Sequence, residues 1–170
     1  MRRGKLEEVE EYTQQVAQEF GIERPVELVM GKEEDYSAFN PPLEKYKDLP
    51  AKIIIYEGWT PKEMKEQIRH ELAHAKLHWD IPEEGGYKNA EDLVKIEIEA
   101  DLLAYGKVPG LQYLMSNLVT EWNFSKRKAY LTVKRVAEAL GIPKASISRA
   151  RTYFYKIPEE FFAEQRGKME

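Results

Sequence analysis

Apolar positions Leu6, Val9, Val16 and Phe20 recur at helical spacing and predict a helix over residues 5–20, ended by Gly21. Residues 25–30 alternate as a half-buried strand does, residues 36–40 form a weaker strand closed by Pro41-Pro42, and residues 52–56, with three consecutive isoleucines, read as a short buried strand. Thr60, Pro61 and Glu63 supply the N-cap, first-turn proline and capping box of a strong helix start. The stripe Met64, Ile68, Leu72, Ala75 and Trp79 carries that helix to about Trp79, where Asp80-Ile81-Pro82 stops it. After a loop at 83–86, another helix is expected from near Asn89 to just before Gly106, burying Leu93, Ile96, Ala100, Leu103 and Ala104. A short helix over 111–119 follows, then helices over 125–140 and 143–155 separated by Gly141, and a final short helix or anchor from 158 to 162 with fraying residues after it. Strands early and helices late predict an α+β chain with a small three-stranded sheet.

The 170 residues suit one compact domain, or one with an appendage, and 42% hydrophobic residues suffice for a real core. With no cysteine, disulfides and thiolate metal sites are excluded, so any metal must be held by His and carboxylate. No stretch approaches the roughly 18 apolar residues of a membrane span, and the first residues turn acidic before any apolar run, so neither a membrane nor a secretion signal is expected and the cytoplasm is the expected location. The net charge of −4 is unevenly spread: residues 1–120 hold 15 Lys/Arg against 24 Asp/Glu, whereas residues 121–170 hold 11 against 6. An acidic body with a basic tail suggests two modules, with a boundary near 107–124.

The candidate chemistry is concentrated in His70-Glu71-Leu72-Ala73-His74. Residues four apart on a helix stand one above the other, so His70 and His74 can converge on one divalent ion, expected to be zinc. Glu71, close to the same face, is placed to take a proton from a water at the open coordination position and deliver it to a leaving amine. A bound ion would lower that water's pKa towards about 7 and polarise a scissile carbonyl. His78 continues the same helix, but one straight helix does not readily wrap three ligands around a tetrahedral ion, so it is expected behind the site or on the surface. The third ligand must then be a carboxylate. Glu97 and Asp101 share a face of the next helix, where one can bind metal while the other accepts a hydrogen bond from a ligand His. Glu99 stands about 200° around from Glu97, so Glu97 is the favoured ligand, with Glu99 the alternative. Tyr105 and Tyr87 are candidates for oxyanion stabilisation by position only. By analogy at the level of the fold alone, the strand at 36–40 is a candidate sheet edge where an extended peptide could pair.

His-Glu-Leu-Ala-His followed by Glu97-Ile98-Glu99-Ala100-Asp101 resembles the gluzincin pattern, in which a second helix supplies a glutamate ligand. Within it the chain is most similar to the ImmA/IrrE-type metallopeptidases, over roughly residues 5–110, with minimal archaeal gluzincins a close second. The resemblance implies a zincin-like core in which a three-stranded sheet packs on an N-terminal helix, the zinc helix and the glutamate helix. It implies His70, His74 and Glu97 as zinc ligands, Glu71 as general base and Asp101 as a supporting residue. The stretch Tyr105-Gly106-Lys107-Val108-Pro109 departs from the apolar ending usual in that family; only the proline matches cleanly.

Residues 132–152 resemble a helix-turn-helix. Ala137 sits at the close packing point and Gly141 at the turn, with Val133, Val136, Leu140, Ile142 and Ile147 as a small core. Its second helix would expose Lys144, Ser146, Ser148, Arg149 and Thr152, residue types that bond phosphates and base edges. Residues 126–156 contain nine Lys/Arg and one acid, Glu138. The bland reading is a helical hairpin that packs on the core and touches no DNA. The expected division is a metallopeptidase core over 1–110 and a helical region over 111–170. Three functions follow: a zinc endopeptidase acting on a protein or peptide, such as a repressor-type regulator of transcription; a DNA-binding regulator whose zinc core senses or stabilises; or a latent peptidase inhibited by its own C-terminal segment.

Overall fold

The computed structural model describes residues 3–80 and 88–169. Among them are seven α-helices and a mixed three-stranded sheet, so the chain is α+β. No described helix is long and apolar enough to cross a membrane.

The residues group into two compact units, one of Met1–Ile81 with Ala100–Gly106, the other of Pro82–Glu99 with Lys107–Glu170. In the first, helix α1 (Arg3–Glu19) ends at Gly21, whose φ of 67° is the left-handed conformation that glycine adopts without penalty. Strand β1 (Val26–Gly31) pairs parallel with β3 (Ala51–Tyr56), and β2 (Ser37–Asn40) pairs antiparallel with β3 on its other side. The order β1-β3-β2 makes β3 central and leaves β1 and β2 at the edges. The isoleucine run is resolved by the strand period. Ala51, Ile53 and Ile55 are fully buried on one face, while Lys52 is exposed and Ile54 and Tyr56 are half-buried on the other. They join Val9, Val16, Met64, Ile68 and Leu72 in one core cluster.

Helix α2 (Pro61–Leu77) begins as its sequence predicts: Thr60 accepts from the Glu63 amide, and the Glu63 carboxylate accepts from the Thr60 amide at 2.8 Å. It stops two residues before Trp79, because His78 leaves helical geometry at φ −129°, ψ 20°. Two links orient α2 against its neighbours. Arg69 makes paired hydrogen bonds of 3.0 and 2.8 Å to Glu19 on α1 and a third, 2.9 Å, to the Ala104 carbonyl near the end of α3 (Ala90–Tyr105). Hydrogen bonding to Glu19 raises the guanidinium above its ordinary range and lowers the Glu19 carboxyl, so the pair stays ionised.

In the second unit, α4 (Leu111–Thr120) packs against α5 (Lys126–Ala139), α6 (Lys144–Tyr155) and α7 (Glu159–Met169). Ser125 caps α5 by accepting from the Lys128 amide, and Gly141, at φ 80°, turns the chain into α6. Val133, Ala137, Ile142 and Ile147 are buried around that turn. The last helix is longer than expected. The sequence suggested a short anchor over 158–162, but α7 runs eleven residues because Phe162 is fully buried with its ring 6.1 Å from Phe154, and Arg166 reaches back to the Val119 carbonyl.

Candidate metal centre

The centre is built from two helices in matched antiparallel steps. Tyr105 donates from its hydroxyl to the Glu66 carbonyl, Arg69 donates to the Ala104 carbonyl, and His70 Nδ1 lies 2.8 Å from Asp101 Oδ1. Moving forward along α2 therefore answers moving back along α3. A further step of four residues takes His70 to His74 and Asp101 to Glu97. At that step the required groups come together: one ligand atom each from His70, His74 and Glu97 all lie within 4.8 Å of one another.

The helical wheel of α3 shows why Glu97 and not Glu99 reaches this place. At about 100° per residue, the buried residues Ile96, Ala100, Ala104, Ala90, Val94 and Ile98 sweep one continuous arc. Glu97 and Asp101 fall in the middle of that arc, flanked by apolar side chains. Glu99 falls outside it, 4.0 Å from Lys95 on the solvent side.

The donor set fits a divalent ion. The Nε2 atoms of His70 and His74 face each other at 3.0 Å, close to the separation of about 3.3 Å for two nitrogens held at 2.0–2.1 Å on one tetrahedral ion. Asp101 accepts at His70 Nδ1, which keeps that imidazole's proton away from Nε2 and leaves the Nε2 lone pair for a cation. Two nitrogen lone pairs do not face each other at this distance without a proton or a cation between them. Two imidazoles and one carboxylate are a ligand set found at catalytic zinc sites, and they leave a coordination position open. No thiolate is present to favour a closed structural site.

Glu71, between the two histidines, is only 6% exposed. Its Oε1 accepts a 2.7 Å hydrogen bond from Ser37 Oγ on the edge strand β2. Ser37 was missed in the sequence pattern. Its one signal is that strand alternation puts it on the same face as Phe39, which packs on the core, so a polar group there points inward. Tyr105, a sequence candidate for oxyanion stabilisation, instead donates to the backbone of α2. Burial, and next the Asp101 and Glu66 carboxylates, push its hydroxyl above the ordinary tyrosine range, so it stays protonated as a donor. Tyr87 lies outside the described residues. Lys144, Ser146, Ser148, Arg149 and Thr152 are all exposed on α6, and Thr152 returns its hydroxyl to the Ser148 carbonyl.

Compared with known proteins, the chain finds no matching family model, no matching curated protein and no matching solved structure.

Proposed function

We propose that the chain is a zinc-dependent peptidase of the ImmA/IrrE type, with a polypeptide substrate. The observation that carries this reading is the meeting of His70, His74 and Glu97 from two helices with a buried Glu71 on the turn between the two histidines. A divalent ion bound there supplies Lewis acidity at the open position. Glu71 takes a proton from the attacking water as its oxygen bonds to the scissile carbonyl carbon. The carbon–nitrogen bond then breaks, and Glu71 returns the proton to the departing amine. Ser37 holds one Glu71 oxygen by its hydrogen bond and so fixes the carboxylate beside the two histidines. Asp101 holds the His70 ring throughout.

Removing metal tests the reading. The purified chain is expected to cut an unstructured, fluorescently labelled protein, to stop after dialysis against a chelator, and to resume on adding one equivalent of zinc. Cleavage indifferent to chelator and zinc sinks it.

The exposed face of α6, with Lys144 and Arg149 and no acidic residue along the helix, favours duplex DNA binding as a second reading. Binding through phosphate contacts weakens steeply with salt. A titration repeated at 50 and 200 mM salt is expected to show that fall, and to show no binding for Lys144→Ala/Arg149→Ala if α6 is the contact. Unaltered binding by that double variant removes α6 from the reading.

A further inference from the structure

The two imidazoles that face the metal position are backed by different groups. His70 has the Asp101 carboxylate on its Nδ1. His74 has a third imidazole: its Nδ1 lies 3.0 Å from Nδ1 of His78, one turn further along. The three rings make a row, with centroids 4.7 Å apart for His70 and His74 and 5.2 Å apart for His74 and His78. In this row His74 turns Nε2 towards His70 and Nδ1 towards His78, so the two neighbours address opposite sides of its ring. An ion between His70 and His74 is therefore beyond the reach of His78, and His78 is absent from the ligand cluster.

The protons follow from this geometry. A neutral imidazole carries one N–H. To offer Nε2 to a metal, His74 must hold its proton on Nδ1, and that proton needs an acceptor. His78 Nδ1 is at hydrogen-bonding distance. It is brought there by the end of α2: the His78 amide makes a 2.7 Å bond to the His74 carbonyl, and the backbone then leaves helical geometry.

We propose that His78 is a positioning residue for the metal centre: its Nδ1 accepts the Nδ1–H of His74 and so fixes the tautomer and ring plane that present His74 Nε2 to the ion. This rests on the reading of His74 as a ligand, but not on peptidase activity. His78 does for one ligand what Asp101 does for the other, with a neutral acceptor in place of an anionic one.

The test measures zinc affinity of the full chain by competition with a chromophoric chelator, and the visible spectrum of the cobalt-loaded protein. His78→Ala is expected to weaken zinc binding about 10–100-fold, the usual effect of losing a partner behind a ligand. His78→Asn, whose amide oxygen can take the place of Nδ1, is expected to recover most of the loss. His78→Gln, whose polar end falls nearer the place of Nε2, is expected to recover little. At saturating cobalt all three should keep the wild-type band intensities, because no ligand has been removed. If His78→Ala does not fold, the ranking of Asn above Gln is still read on the two that do. Equal affinities across the series overturn the proposal. So does a cobalt spectrum that changes coordination in His78→Ala, which would make His78 a ligand. A wild-type chain that takes up no zinc overturns both this proposal and the functional reading. One that binds zinc with the expected ranking but cuts no peptide supports this proposal and removes the peptidase alone.

Discussion

Glu71→Gln is expected to bind zinc as the wild type does and to cleave peptide bonds roughly 10²–10⁴-fold more slowly, the range for loss of a positioned general base. Gln keeps the size and hydrogen-bonding reach of Glu, so the nearly buried position is refilled without a cavity and the Ser37 hydroxyl keeps a carbonyl oxygen to bond. What Gln lacks is a site basic enough to take the water's proton. Rate and metal therefore separate in one variant, a result that damage to the fold would not produce. Ser37→Ala gives the contrast. It leaves the base in place but removes the 2.7 Å bond that holds one of its oxygens, so a smaller loss is expected, in kcat more than in KM. The measurements are steady-state rates on a labelled unstructured protein and zinc content of the same samples. Wild-type rates in Glu71→Gln would remove Glu71 from the chemistry.

The parts of this centre that follow helical periodicity were legible in the chain. The capping box at Thr60 starts α2, the four-residue interval between His70 and His74 puts both on one face, and Gly106 ends α3, where φ reaches 69°. Spacing favours Glu97 over Glu99 by its shared face with Asp101, but it says which residues share a face and not which face turns inward. The sequence places Leu93, Ile96, Ala100, Leu103 and Ala104 along a single buried stripe. The structure leaves Leu93 and Leu103 half-buried and buries Val94 and Ile98 completely, turning the arc until Glu97 and Asp101 lie inside it. That arc was written in the sequence, yet a single narrow amphipathic stripe hides it. Ser37 and the ring contact between His74 and His78 were beyond periodicity. The first is a contact between residues 34 positions apart, and the second depends on how the chain leaves α2 at His78. The length of α7 was missed because its anchor, Phe162, finds Phe154 through tertiary packing and not through a helical repeat of its own.

Glu97→Ala is expected to lose more zinc affinity than the 10–100-fold that follows loss of a supporting group, because it removes one of only three protein ligands. Glu99→Ala is expected to leave affinity unchanged, since Glu99 lies on the solvent side with Lys95. The pair can be read without any substrate. A ligand that binds only the folded chain adds about 2.7 kcal/mol at 100 times its dissociation constant, and in a chain of this size each kcal/mol moves the melting midpoint by about 2–4 °C. Wild type and Glu99→Ala should therefore melt about 5–10 °C higher with zinc than without, while Glu97→Ala should melt at the same temperature in both. A zinc shift in Glu97→Ala equal to that of the wild type would take Glu97 out of the ligand set.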